Sequence, residues 1–241
     1  MRRRAAHRNR KRSGKDSPTP QSPSSRLIAA SDTSLLVAFA SGEEGAVTAE
    51  ERRCVRRLLR LLDASPLDGI LDASPGDGSL LVRFDPERLD HRALGGHVER
   101  LLPRCEEAVE PPPRRVTIPV RYGGEAGPDL EEVARLTRLD PDEVVRRHSA
   151  AVYEVRFLGF TPGFAYLGTL DPSLVCPRLD RPRRAVPAGS VAIAADQTAV
   201  YPSATPGGWR IIGRTETRMF DPGREPMSLL AIGDTVQFEP R

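Results

Sequence analysis

The 241-residue chain has no apolar run approaching the roughly 20 residues that a bilayer-spanning helix requires, which excludes a membrane helix. It lacks C-x-x-C and H-E-x-x-H, so neither a structural nor a hydrolytic zinc site is expected. The "SGKD" near the N-terminus lacks the Gly-rich spacing of a P-loop, and no strand–GxGxxG–helix unit occurs. Cysteine is scarce: Cys54, Cys105 and Cys176 are odd in number and widely spaced, and read as reduced thiols of a cytoplasmic protein. A secretory signal fails as well, because the basic N-terminus runs into Ser and Pro instead of an apolar segment.

What is present begins with charge. The net charge of +3 conceals an asymmetry: residues 1–26 hold nine Lys or Arg against Asp16 alone, so the tail carries +8 and the remainder −5. The tail has no aromatic to stack on a base and no periodic apolar residue, so it reads as a disordered basic tail, and nucleic-acid binding is disfavoured.

With 23 Pro and 20 Gly, short elements and frequent turns are expected. "SLLVAFA" reads as a buried strand, and Thr48 with Glu51 forms a capping box before a helix whose Val55, Leu58, Leu59 and Leu62 share one face. Two strands, "GILDAS" and "SLLVRFD", and a helix in "ERLDHRALGGHVERLL" follow. The expected fold is therefore α+β, with a small ferredoxin-like β-α-β-β-α domain over residues 27–110. Three prolines make residues 111–114 an extended linker. Beyond it, "RVTIPV", two short helices (the second with Asp140 as N-cap and Pro141 at its first position) and several short apolar runs predict a closed β-barrel over residues 115–241.

Aromatics form only 5% of the chain, yet Phe157, Phe160, Phe164 and Tyr166 crowd into "RFLGFTPGFAYLG" between Gly and Pro residues. Core packing plus a turn is one reading; the wall of a pocket at the barrel mouth, with Thr161 beside it, is the other. Arg178 and Arg183 lie in Pro-containing turns, where they are either ordinary solvated arginines or cations aimed in fixed directions. "DQTAVYP" supplies Gln197, Thr198 and Tyr201, and "TPGGWRIIGRT" supplies Trp209 and Arg214, each also explicable as turn or core. His148 ends a helix, where a cation suits the dipole, or acts as an acid–base group. Its neighbour Ser149 does not make a Ser–His pair, because adjacent side chains rarely meet.

In order and spacing, "IPVRYGGEAGPDLEEVA", "FLGFTPGFAYLG", "VPAGSV", "QT", "YP" and "TPGGWRIIGRT" resemble the bacterial 5-oxoprolinase B-subunit family, also called KipI or allophanate hydrolase subunit 1. The resemblance covers about residues 33–241. It implies an N-terminal α/β domain followed by a cyclophilin-like barrel, and cytoplasmic work alongside 5-oxoprolinase subunits A and C, the latter KipA-like. It also implies ATP-dependent opening of the lactam 5-oxoproline to L-glutamate, with Mg–ATP used by the assembled complex and this chain inactive on its own. The expected course is phosphorylation of the amide oxygen and then hydrolysis of the activated ring. Other family readings are docking on a sensor histidine kinase and a part in allophanate or urea metabolism.

On this resemblance His148, Arg178 and Gln197 become catalytic candidates. Phe160, Thr161, Phe164, Tyr166, Arg183, Ser190, Thr198, Tyr201, Trp209 and Arg214 become candidates for binding the lactam. An arginine fork suits its carboxylate, Gln197 and Thr198 suit a carbonyl oxygen gathering charge, and the aromatics exclude water. The sequence departs from the family where "VPAGSVGIAGxQTGIYP" is usual: Ala192, Ala195 and Ala199 replace glycines. Any of these at positive φ would disturb the backbone.

Overall fold

The computed structural model describes residues 24–39 and 47–241; the basic segment 1–23, read above as disordered, lies outside the described residues. Arg26, assigned above to the tail, instead opens the first strand.

The first unit contains β1 (Arg26–Ser31), β2 (Ser34–Ala38), α1 (Ala49–Ala64), β3 (Ile70–Gly76), β4 (Ser79–Phe84), α2 (His91–Leu101) and the short α3 (Arg104–Glu107). Its sheet runs β1-β2-β4-β3 with every pair antiparallel. Strand alternation sends Leu35, Val37, Leu80, Val82 and Phe84 to one face, where Val55, Leu58 and Leu62 of α1 and Leu94 and Val98 of α2 complete the core. Each such buried side chain contributes about 1.5–3 kcal/mol. The capping box forms as expected: Glu51 N–H donates to Thr48 Oγ1 at 3.2 Å and Thr48 N–H to Glu51 Oε2 at 2.7 Å. The arrangement differs from the expected β-α-β-β-α by β1, which forms a hairpin with β2 at the sheet edge. Most of β1 is exposed, so it shows no buried apolar run to betray it.

The second unit contains β5 (Arg115–Tyr122), α4 (Leu130–Thr137), α5 (Pro141–Ala150), β6 (Val152–Leu158), β7 (Ala165–Gly168), β8 (Arg183–Val186), β9 (Ser190–Ala194), β10 (Gln197–Val200), β11 (Thr205–Gly207), β12 (Arg210–Arg214) and β13 (Thr235–Pro240). Seven of these strands close a barrel in the order β10-β7-β6-β13-β5-β12-β9, and β10 pairs with β9 to seal it. Ile118, Val120, Val155, Leu167, Val191, Ile193, Val200, Ile212 and Val236 fill the interior, joined by Val133 of α4 and Val144 of α5. Strands β8 and β11 form a separate two-stranded ribbon. Asp140 occupies the N-cap of α5, but its side chain makes no capping bond.

The two hydrophobic cores are separate, and a buried arginine crosses between the units. Arg56 of α1 forks onto Glu110 at 2.8 and 3.1 Å and reaches Glu154 of β6 at 2.6 Å. Gly233, at φ +85°, lies against its stem: a Cβ there would meet Arg56 Cδ at 2.9 Å. This is the turn glycine of "IGDTVQFEP", held to a shape that few other residues adopt.

Candidate functional site

"RFLGFTPGFAYLG" folds as a β-hairpin: β6 enters, residues 159–164 turn, and β7 returns. Gly159 N–H donates to the Phe164 carbonyl at 3.1 Å and Phe164 N–H to the Thr161 carbonyl at 3.0 Å, so Thr161 serves the turn through its backbone. Gly163, at φ +80°, passes so close to Phe220 that a Cβ would sit 2.6 Å from its Cβ. Phe160, at the tip, is 62% exposed and holds φ +66°, a conformation in which a bulky residue is an outlier.

The aromatics do not line the barrel mouth, which corrects the pocket-wall reading of the sequence. They sit on the outside of the wall, because alternation along β7, β9, β10 and β12 turns every second residue outward. Phe164, Ala192, Ala194, Ala199, Tyr201, Trp209 and Ile211 form this outer cluster, with Tyr166 packed on it and Val186 of the ribbon covering it. Phe164 meets Tyr166, Tyr201 and Trp209 edge to face at 4.9, 5.2 and 5.8 Å, and touches Phe160 at 5.3 Å. Phe157, absent from the site candidates above, stacks on Tyr166 at 4.2 Å. The Tyr201 hydroxyl accepts a backbone hydrogen bond from Trp209, and only a glycine at 207 leaves it room. Burial raises the pKa of Tyr166 and of Tyr201 above the usual phenol value, and the charge of Arg178 opposes that rise.

Arg178 is exposed, with its guanidinium carbon 6.0 Å from the centre of the Trp209 ring. No carboxylate pairs with it among the described residues. Gln197 shares the outward side of β10 with Ala199. Arg183 is committed to structure: it donates to Asp129 Oδ1 at 2.6 Å, while Asp129 Oδ2 accepts from Ile211 N–H at 2.7 Å. Ser190 is buried at the start of β9, in register with Arg214. Arg214 itself lies away from the aromatics, beside Arg121 and Arg241 on a separate cavity of about 180 Å³.

His148 and Thr198 belong to the barrel interior, and this corrects the acid–base and carbonyl-binding roles expected of them. His148 is fully buried and stacked on Phe238 at 4.7 Å. Thr198 donates its hydroxyl proton to the Ala192 carbonyl at 3.0 Å, so its oxygen accepts from His148 Nε2–H at 2.9 Å. Nδ1 then accepts from the Tyr122 hydroxyl at 2.8 Å. Both ring nitrogens are satisfied, and burial pushes the imidazole pKa down to about 3. A neutral, enclosed ring exchanges no proton with a ligand on the outer face.

The family model "Carboxyltransferase domain, subdomain C and D" matches residues 25–230. The B subunit of 5-oxoprolinase from Bacillus subtilis (strain 168) is 39% identical over 217 residues, covering 86% of this chain and 89% of the relative. That of Escherichia coli O157:H7 is 45% identical over 196 residues, covering 80% and 87%. The chain belongs to the 5-oxoprolinase B-subunit family.

Solved structures share the fold. A protein designated TTHA0988 superposes with a TM-score of 0.74 at 38% identity over 86% of this chain, which spans only 40% of that protein. A conserved uncharacterized protein of Pyrococcus horikoshii, 39% identical, matches 90% of this chain and 97% of its own with a TM-score of 0.52. The urea amidolyase of Kluyveromyces lactis, at 21% identity and a TM-score of 0.74 over 91% of this chain and 15% of its own, shares the fold alone.

Against the family pattern, the three alanines separate. Ala195 holds φ +49° in the turn between β9 and β10, while Ala192 and Ala199 are buried and directly paired beneath the aromatic cluster.

Proposed function

We propose that this chain is the B subunit of an ATP-dependent 5-oxoprolinase that opens 5-oxoproline to L-glutamate together with subunits A and C, and that it is inactive on its own. The observation that carries the reading is a nearly full-length match to relatives that bear this name. The outer face carries an exposed guanidinium, Arg178, and the exposed ring of Phe160 beside an aromatic cluster whose Phe164, Tyr201 and Trp209 are themselves buried. In the reaction the lactam oxygen takes a phosphoryl group from ATP. Water then attacks the activated carbon, the ring C–N bond breaks and phosphate leaves.

Among the described residues, no group of three or more His, Cys, Asp or Glu is placed to hold a metal ion. The reading has Mg–ATP used by the assembled complex. The contribution of this chain is to bind and orient the lactam so that one water reaches the activated carbon of the phosphorylated ring. No helix among the described residues is long and apolar enough to cross a membrane, and the reading places the complex in the cytoplasm. No observation favours the sensor-kinase or allophanate readings.

The test is ATP-dependent glutamate release from 5-oxoproline by this chain on its own and mixed with its A and C subunits. Release by the mixture, and by no single component, is expected. A properly assembled complex that releases none overturns the reading.

A further inference from the structure

We infer that the free edge of β1, together with the flank of α2, is a self-association surface, on which a second copy of this chain pairs β1 to β1 about a twofold axis through Ile28.

β1 ends the sheet β1-β2-β4-β3 on one side, and among the described residues no strand pairs with its outer edge. Every second N–H and C=O along that edge points outward and calls for a partner. The devices that blunt such an edge are few. β1 contains no proline, its one charged residue, Arg26, stands at its start, and its register irregularity against β2 lies at the far end, between Ala29 and Ser31. Ile28, in the middle, is 40% exposed.

Strand alternation restricts how two copies can pair. Leu27 packs on the core, whereas Ile28 faces the opposite side, in register with Leu36. Residues directly opposed in an antiparallel pair share a face, so only like-facing residues can meet. An axis through Ile28 satisfies this: Ile28 meets Ile28 of the second copy, and Leu27 meets Ala29 of the second copy. With the axis normal to the sheet, four strands from each copy form one continuous sheet and both α2 helices lie antiparallel on the same side of it.

The flank of α2 is complementary to itself in that arrangement. An open groove of about 520 Å³ runs between α2 and β1, lined by Leu27, Ala29, His91, Arg92, Gly95 and Glu99 among others. His91 Nε2–H donates to the Ser31 carbonyl at 2.9 Å and Gly95 lies beside Leu27, so α2 descends from the Ser31 end of β1 toward the Arg26 end. Arg92 and Glu99, two turns apart on one side of the helix, are exposed and have no ion pair among the described residues. The twofold axis exchanges the two ends, and so sets Arg92 of each copy against Glu99 of the other. Gly95 and Gly96 keep the flank low, although glycine is unfavourable inside a helix. The chain's own packing does not require them: a Cβ at either would find its nearest neighbour at 3.6 Å, an ordinary contact.

The test is sedimentation of the full chain. Its mass should rise from 26.4 kDa toward twice that value as the concentration is raised to about 100 µM, and amide exchange in β1 should slow in parallel. Arg92→Glu and Glu99→Arg each place like charges at both contacts and should weaken self-association at least about tenfold. Mixed together, these two variants should associate again as a heterodimer, because the acidic flank of one meets the basic flank of the other. Ile28→Lys puts two cations on the axis and should abolish the dimer, while its thermal melt stays that of the parent because Ile28 faces away from the core.

A chain that stays monomeric throughout this range overturns the inference. So does a dimer that Ile28→Lys and both charge variants leave intact, or a mixture of the two charge variants that fails to associate. Protection of β1 only on addition of the C subunit, with the chain alone monomeric, assigns the edge to that partner and overturns the inference as well.

Discussion

On β10, Thr198 turns into the barrel and its neighbour Gln197 turns out, and the two sides of the wall they divide treat polar groups differently. Inside, His148 is enclosed by Tyr122, Tyr153 and Phe238, and each ring nitrogen has its partner. Outside, Arg178 is in water over Trp209 without a carboxylate, and Phe160 projects from a strained turn. The histidine has the more suggestive chemistry, but the arginine has the unused bonding capacity. Availability to a ligand follows from solvent access and unsatisfied donors, not from the versatility of the side chain.

The comparison is broken most directly by truncating each side. His148→Ala leaves a cavity in the barrel and strips the Tyr122 and Thr198 hydroxyls of a partner, so a loss of about 3–4 kcal/mol in urea unfolding is expected. Arg178→Ala should shift stability by no more than about 0.5 kcal/mol while lowering the activity of the assembled enzyme. The reverse pattern would mean that the two roles have been exchanged.

Arg56 sharpens the contrast, because each of its three guanidinium nitrogens donates to a carboxylate. Removing it leaves Glu110 and Glu154 facing each other at the junction without their cation. Arg56→Ala should cost about 3 kcal/mol, on the scale of breaking a buried pair. It should also make the Pro-rich segment at residues 111–113 more susceptible to limited proteolysis. A variant as stable and as resistant as the parent would show that the junction does not depend on this ion pair.

A third test uses pH. The folded pKa of His148 is depressed to about 3 from an ordinary value near 6.5, so the unfolded chain binds the proton first as pH falls. The stability from the neutral ring is fully present above about pH 6.5 and is lost progressively as pH falls toward 3, with a slope of at most about 1.4 kcal/mol per pH unit. Urea unfolding at pH 7.5, 6.5 and 5.5 should show this decline, and His148→Gln, which cannot titrate, should flatten it. Equal slopes in both proteins would place the titration elsewhere.

These cases show where sequence was sufficient. The Thr48–Glu51 box, the α1 stripe and the closing strands are local patterns, and local physics produced them. Placing His148 required knowing what surrounds it, and its partners Tyr122 and Thr198 are 26 and 50 residues away. Strand alternation alone separates Gln197 from Thr198: adjacent residues of one strand face opposite sides and cannot both line one pocket. β7 has four residues and β11 three, too few to show a period, and this hid the outer ribbon and the outward direction of the aromatics.

The smallest expected effect concerns the alanines that stand where the family has glycine. Ala195 sits at φ +49°, where an L-residue with a Cβ is strained by about 1–2 kcal/mol. Glycine relieves that strain but loses about 0.5–1 kcal/mol to the greater freedom of the unfolded chain. Ala195→Gly should therefore stabilise the protein by roughly 0.5–1 kcal/mol. Ala192 is extended, fully buried and paired with Ala199 under the aromatic floor, so glycine there removes packing and adds only unfolded-state freedom. Ala192→Gly should destabilise by about 1 kcal/mol and loosen the floor under Trp209, which fluorescence would register as greater quenching by added iodide. Opposite signs at two positions three residues apart would show that one substitution strains a turn while the other fills the packing of the outer aromatic cluster. A destabilising Ala195→Gly would instead mean that the turn does not store the strain its φ implies.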